Sequence, residues 1–305
     1  MTKILITAAG TGTAFSYVNS IAKNFPQLEI LTADTNVSEH VTSSLFAKKH
    51  YVVTDINSNT LLKELEDISV ENNISFYLPL IDLEIKKSFS SNILSKILVS
   101  NSKKFCEDSL EKNNYEKNFN LNNLMFPYIF KNTIDKDKDY ILKKNGGFGG
   151  RATKNIKGKD IGLYNSEFYI YEKIIGEEFT VDCFPYNDVV YTSVRKRLEV
   201  KNGVCVKAEI IQSDYLNNVA NEFAKKYFLK SPFCFQVIEK ENKFYLIDVN
   251  PRLGAGSSMS AVNGMDFFSA HLALLLGEDP LKYLQKHHDR CIVTRQYANY
   301  LMKVY

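Results

Sequence analysis

The sequence predicts an α/β protein, a parallel N-terminal domain followed by an antiparallel, mixed remainder. Two observations predict it. Over the first hundred residues, short apolar runs rich in β-branched residues alternate with segments whose apolar residues recur at helical spacing, the pattern of parallel βαβ units joined by right-handed crossovers. Beyond residue 140, strand-like runs face one another across short turns. The clearest pair is 233–238 and 244–250, around the turn Glu241-Asn242.

In order, Lys3-Ile4-Leu5-Ile6-Thr7 is a first strand, stopped by Ala8-Ala9-Gly10-Thr11-Gly12. A helix follows on Phe15, Val18, Ile21 and Ala22 and ends near Phe25-Pro26. Residues 28–32 form a second strand closing on Ala33-Asp34, and Tyr51-Val52-Val53 a third. Leu61, Leu62 and Leu65 stripe the next helix, before a strand at 75–80. Gly10-x-Gly12 invites a dinucleotide-binding reading, with Asp34 near a ribose position. The third glycine of that fingerprint is replaced by Phe15, whose bulk blocks close helix–strand approach. The bland reading is a tight turn that needs glycine for backbone reasons; a milder functional one has this loop and Asp34 help hold a small substrate. Residues 101–123 turn polar and read as a solvated helix leading to a loop, which puts a domain boundary near residue 100.

Composition narrows the function. The 305 residues carry 38 Lys+Arg against 35 Asp+Glu, a net charge of +3, which gives no sequence-wide case for nucleic acid or an anionic membrane. No run approaches the ~18 apolar residues of a membrane span, and the N-terminus does not read as a signal peptide. The five cysteines are scattered, with no Cys-x-x-Cys. They suit a reducing, cytoplasmic setting and argue against a disulfide framework or zinc cluster.

Three later clusters carry chemistry. Tyr140-Ile141-Leu142-Lys143 is a strand ending on a lysine, followed by Gly146-Gly147-Phe148-Gly149-Gly150. Such a loop can bring backbone N–H groups to a phosphate beside the lysine's charge, or can be a hairpin with an exposed lysine. Next, Glu172-Lys173-Ile174 and Glu178 flank a turn at Gly176; the connector offers backbone groups to a purine edge and a carboxylate to a ribose, or is simply solvated. Third, Asp248 and Asn250 alternate onto one strand face with Gln236 opposite, an all-oxygen set suited to magnesium. Arg252 follows Pro251, which stiffens the exit and can aim the guanidinium at a phosphate or carboxylate.

Taken in order, these clusters resemble the ATP-grasp superfamily, nearest its short proteins similar to one half of a carbamoyl phosphate synthetase large subunit. The resemblance spans nearly the whole chain and is most specific at Asn250-Pro251-Arg252 with the glycines and serines downstream. It implies an N-terminal α/β domain (1–100), a central α+β subdomain with a glycine-rich lid (101–171), and a C-terminal α+β subdomain (172–305), the last two sandwiching ATP. It also implies a Pro-x-x-Asp-x-Glu pattern at Pro79, Asp82 and Glu84. Lys103, Lys143 and the 146–150 lid would hold the phosphates, Glu172 to Ile174 the adenine, and Glu178 the ribose. Gln236, Asp248 and Asn250 would take magnesium, with manganese as a substitute, and Arg252 the transferring phosphoryl group. Asp248 stands where relatives have glutamate, Lys144 where they have proline, and 151–169 is short for the helix that covers the adenine.

The implied chemistry is ATP-dependent ligation: a carboxylate becomes an acyl phosphate and an amine displaces the phosphate. The partners would then be a small carboxylate and an amine, with no nucleic acid or membrane and a homodimer as the candidate assembly. Arg195 and Arg197 share one strand face and read either as a clamp for an acidic substrate or as a solvated strand end. His271, Phe267 and Phe268 read as packing. Two other classes stay open: an ATP-binding regulatory module that has lost ligation, and a nicotinamide-dependent oxidoreductase.

Overall fold

The computed structural model describes residues 2–121, 124–130, 134–144, 153–164, 167–201 and 203–304. Its N-terminal part is a parallel sheet in the order β3-β2-β1-β4, formed by β1 (Lys3–Thr7), β2 (Glu29–Asp34), β3 (Lys49–Val52) and β4 (Phe76–Leu78). Strand period sends Ile4 and Ile6 into one core and Leu5 into the other. Helix α1 (Gly12–Asn24) lies on the first, capped by the Thr11 hydroxyl, which accepts from the Ala14 N–H at 3.2 Å. Helix α2 (Leu61–Asn72) covers the second. In the turn between β1 and α1 the left-handed residue is Ala8 (φ 50°), not a glycine. The glycines serve close approach instead. A Cβ on Gly10 would lie 3.3 Å from Asp34 Oδ2, and one on Gly12 would lie 3.3 Å from the Ala255 side chain. Asp34 accepts from the Gly10 N–H (2.8 Å) and from Asn36, so its carboxylate closes this turn.

Helices α3 (Asp82–Ser88) and α4 (Leu94–Ile97) complete the domain. Then α5 (Lys103–Leu110) and α6 (Tyr115–Phe119) occupy the polar stretch expected to be solvated. They are packed helices. Phe105 and Phe119 are fully buried, and Phe105 meets Tyr227, Phe233 and Phe223 edge-on or tilted, with centroids 5.0–6.3 Å apart. Phe105, Cys106 and Leu110 on α5, and Tyr115 with Phe119 on α6, suffice to bury helices whose remaining residues are polar.

Two antiparallel sheets follow. The smaller has the order β5-β8-β6-β7, from β5 (Ile129–Phe130), β6 (Asp139–Lys144), β7 (Thr153–Lys157) and β8 (Phe168–Glu172). After β7, the described chain continues as a 3₁₀ segment, Gly158–Leu163, in place of a longer helix. The larger sheet has the order β13-β12-β9-β10-β11-β14. Its strands are β9 (Glu177–Tyr186), β10 (Val189–Lys201), β11 (Val204–Ile211), β12 (Phe233–Lys240), β13 (Lys243–Asn250) and β14 (Cys291–Thr294). Helix α7 (Asp214–Tyr227) covers one face through Leu216, Val219, Ala220 and Phe223. Gly176, between β8 and β9, lies against β12 so closely that a Cβ would sit 2.0 Å from the Glu239 carbonyl oxygen.

Helices α8 (Ser258–Val262) and α9 (Phe267–Leu275) return the chain to the N-terminal domain. Phe267, Phe268 and His271 are packing residues: all are buried, and His271 Nδ1 lies 2.8 Å from the Tyr17 hydroxyl. Burial drives the His271 pKa down to about 3, so the ring is neutral. All five cysteines are thiols. No described helix is long and apolar enough to cross a membrane.

The burial of α5 is testable. Phe105→Ala should destabilise the protein by about 3–5 kcal/mol, the cost of emptying a phenylalanine site in a core. Urea denaturation monitored by circular dichroism measures it, and a surface helix would lose almost nothing.

Candidate active site

A cleft of about 510 Å³ opens between the two antiparallel sheets. From the small sheet, β6 contributes Lys143 and β8 contributes Glu172, followed by Lys173 and Ile174 of the connector. From the large sheet come Glu178, Arg197, Gln236, Asp248 and Asn250, and past the end of β13 come Arg252 and the 254–256 loop. Lys112, between α5 and α6, closes one side.

The oxygen donors gather on β12 and β13. Gln236 and Asp248 are cross-strand partners, and Asn250 follows on the same face, so period two brings the three together. The Asn250 amide donates to Asp248 Oδ2 at 3.1 Å, and the Lys112 ammonium pairs with Asp248 Oδ1. Burial pushes the Asp248 carboxyl upward, but Lys112 and, further away, Lys143 outweigh it and hold the pKa below the ordinary range. Asp248 is therefore ionised, beside the side-chain amides of Asn250 and Gln236. One carboxylate and two amide oxygens fit a hard dication such as magnesium, provided phosphate oxygens and water complete its shell. Among the described residues, no group of three His, Cys, Asp or Glu side chains offers a metal site.

The cations are each engaged. Lys143 donates to the Ile247 carbonyl at 2.7 Å with its ammonium 5.4 Å from the Tyr171 ring centre. Burial, reinforced by Lys112, lowers its pKa to about 8. Arg252 Nε stands 2.8 Å from Asp82 Oδ1, an acid from the N-terminal domain. Arg197 pairs with Glu178 and donates to the Gly203 carbonyl at 3.0 Å.

Beneath the cleft lies a buried knot. Arg195, 1% exposed, grips Asp182 through Nε (2.9 Å) and Nη2 (3.0 Å). The same carboxylate accepts from the hydroxyls of Ser257 and Ser260, both at 2.8 Å. Asp182, with no exposed surface, thus has four charge-compensating or hydroxyl donors and ties the 253–260 segment to β9 and β10. Gly256 fits only as glycine, since a Cβ would come within 2.7 Å of Arg195 Nη1.

Residues 165–297 match the family model described as ATP-grasp in the biosynthetic pathway with Ter operon. The biotin carboxylase domain of Hydrogenobacter thermophilus 2-oxoglutarate carboxylase, in complex with MgADP, ADP and bicarbonate, superposes with a TM-score of 0.71 at 12% identity, over 92% of this chain and 70% of that one. The L-amino acid ligase of Bacillus licheniformis also gives 0.71 at 12% identity, over 94% and 78%. Phosphoribosylglycinamide synthetase of Anaerococcus prevotii gives 0.63 at 17% identity, over 92% and 76%. The fold is ATP-grasp. No curated protein sequence matches the chain.

Within the ATP-grasp cleft, Lys143, Glu172, Lys173, Ile174, Glu178, Gln236, Asp248, Asn250, Arg195, Arg197 and Arg252 all line one space. Lys103 does not. It lies on the exposed side of α5, 4.0 Å from Glu107, because helical period turns it away from buried Phe105 and Cys106. The lysine lining the cleft from that segment is Lys112, which sequence reading missed among many lysines. Gly146, Gly147, Phe148, Gly149 and Gly150 lie outside the described residues. Arg195 is neither a solvated strand end nor an open clamp, since Asp182 holds it inside. Asp182 itself had a signal: an acid in the apolar run 179–184 must find a partner when buried.

The lowered pKa of Lys143 gives a pH prediction. Protonated, its ammonium would attract an anion entering the cleft; above about 8 the free protein holds it neutral. Affinity for MgATP should therefore decline as pH rises beyond that value. Lys143→Arg, which stays charged, should flatten the decline. Calorimetric titration at constant ionic strength checks it, and an equal slope in both proteins would assign the ionisation to another group.

Proposed function

We propose that this chain is an ATP-dependent ligase that converts a small-molecule carboxylate to an acyl phosphate and couples it to an amine, forming ADP and phosphate. One observation carries the reading: Lys112, Lys143 and Arg252 meet the oxygen set of Asp248, Asn250 and Gln236 in a single cleft between two sheets. Cations and oxygen ligands gathered in this way suit the β- and γ-phosphates of a nucleotide.

In this reading the adenine lies along the connector from Glu172 to Ile174, with Glu178 on the ribose side. Lys143 and Lys112 face the phosphate oxygens. Asp248, Asn250 and Gln236 would hold magnesium, which when bound would offset negative charge on the phosphates. The substrate carboxylate oxygen bonds to the γ-phosphorus as the bond to the ADP oxygen breaks. Arg252 balances charge on the equatorial oxygens. The amine then adds to the acyl carbon, loses its proton, and phosphate leaves. Charge stabilisation gathered at the terminal phosphates favours the γ-phosphorus over the α-phosphorus, hence ADP rather than AMP. The biosynthetic setting in the family description agrees with a ligase that builds a small molecule.

The test offers the protein MgATP, hydroxylamine and a panel of amino acids and small carboxylic acids. A supporting acid should yield ADP, phosphate and a hydroxamate in equal amounts. AMP and pyrophosphate would contradict the mechanism. Nucleotide binding without turnover on any acid would favour a regulatory module instead. On the supporting acid, Asp248→Asn should lower kcat by about 10²-fold or more while MgATP still binds, since it removes the single carboxylate of the oxygen set.

A further inference from the structure

The segment Pro79-Leu80-Ile81-Asp82-Leu83-Glu84 has no part in the chemistry above, yet it carries two buried acids. They do different work. Glu84 turns into its own domain, accepts from the Tyr77 hydroxyl at 2.5 Å, and is pushed upward in pKa by burial, so it pins α3 to β4. Asp82, 6% exposed at the start of α3, faces the other way, toward Arg252.

Arg252 is constrained from several sides. The Asn101 side chain donates to the Pro251 carbonyl at 3.1 Å and so fixes the backbone just before it. Its Nη1 donates to the Leu253 carbonyl at 3.0 Å. Its Nε stands 2.8 Å from Asp82 Oδ1, where neither atom has an aligned hydrogen bond, so the contact is chiefly a charge pair. Among the described residues, Nη2 is left as the donor edge without a protein partner, and Arg252 lines the cleft. Lys112 and Asp248 are the other charges that Asp82 feels.

We infer that Asp82 is a positioning residue: from the N-terminal domain it holds the Arg252 guanidinium with its open edge toward the terminal phosphoryl group. The inference rests on the ligase reading, in which Arg252 meets the γ-phosphate. It gives the N-terminal domain a direct part in phosphoryl transfer.

The test compares the affinity for MgADP with that for the magnesium complex of a β,γ-imido analogue of ATP, by calorimetry. The ratio reports contact with the γ-phosphate and is insensitive to a general loss of stability. Arg252→Ala should reduce the triphosphate preference. Asp82→Asn should reduce it by about tenfold while MgADP affinity stays within about threefold, because a guanidinium displaced by an ångström loses its contact. The double variant should match Arg252→Ala alone, as expected when one residue acts through the other. Should Asp82→Asn fail to bind MgADP, Asp82→Glu replaces it. That variant keeps the charge but moves the carboxylate by one methylene, and should still cut the preference by about threefold. A preference unchanged or increased in the folded Asp82 variant overturns the inference. A preference unchanged in Arg252→Ala would instead overturn the assignment of Arg252 to the γ-phosphate.

Discussion

Like charges crowded into one cleft must be compensated, and this constraint organises the molecule. Lys112, Lys143, Arg197 and Arg252 share the space between the antiparallel sheets. Each has a protein oxygen opposite: Asp248, the Ile247 carbonyl, Glu178 and Asp82. These partners come from the cleft walls and, for Arg252, from the N-terminal domain, so the compensating network also joins the parts of the chain. Burial first and then Lys112 lower the Lys143 pKa, while Asp248 and Glu178 oppose the shift. Along the cleft lining Lys112, Lys143, Lys144, Lys173, Arg197 and Arg252 outnumber Glu172, Glu178 and Asp248, a balance that suits an anion bearing several charges.

The fold supplies the rigidity the cleft needs. The Asp182–Arg195 knot with Ser257 and Ser260 binds the segment after Arg252 to the middle strands of the six-stranded sheet. A buried carboxylate with this many donors resists rearrangement, because each donor lost weakens the compensation of a charge held inside. Gly256 lies against that guanidinium, and Gly12 of the N-terminal turn lies against Ala255. The first domain's turn, the loop after Arg252 and the sheet beneath are thus packed as successive layers. The Arg252–Asp82 pair crosses the same boundary.

Much of this was legible in the sequence. The parallel domain follows from alternating apolar runs, and α1 and α2 from apolar residues at helical spacing. Asp248, Asn250 and Gln236 were readable because strand period two is strict. The segment around α5 was misread as solvated because its composition is polar while its few aromatic residues carry the packing. Lys112 was missed for a related reason: nothing local separates it from Lys103, and only the turn between α5 and α6 brings it against Asp248. Arg195 and Arg197 were placed on one face correctly, but their partners, Asp182 and Glu178, lie on a neighbouring strand. Pairing across strands depends on register, which the sequence states only weakly.

The central claim is that the cleft's positive groups answer to the terminal phosphates of a nucleotide. Calorimetric titration of the unaltered protein with AMP, ADP and ATP, each with magnesium, measures it most directly. Affinity should rise at each added phosphate, and the rise should shrink as salt is increased, as screening of charge requires. Equal affinity for AMP and ATP would contradict the account, because binding would then rest on the base and ribose alone.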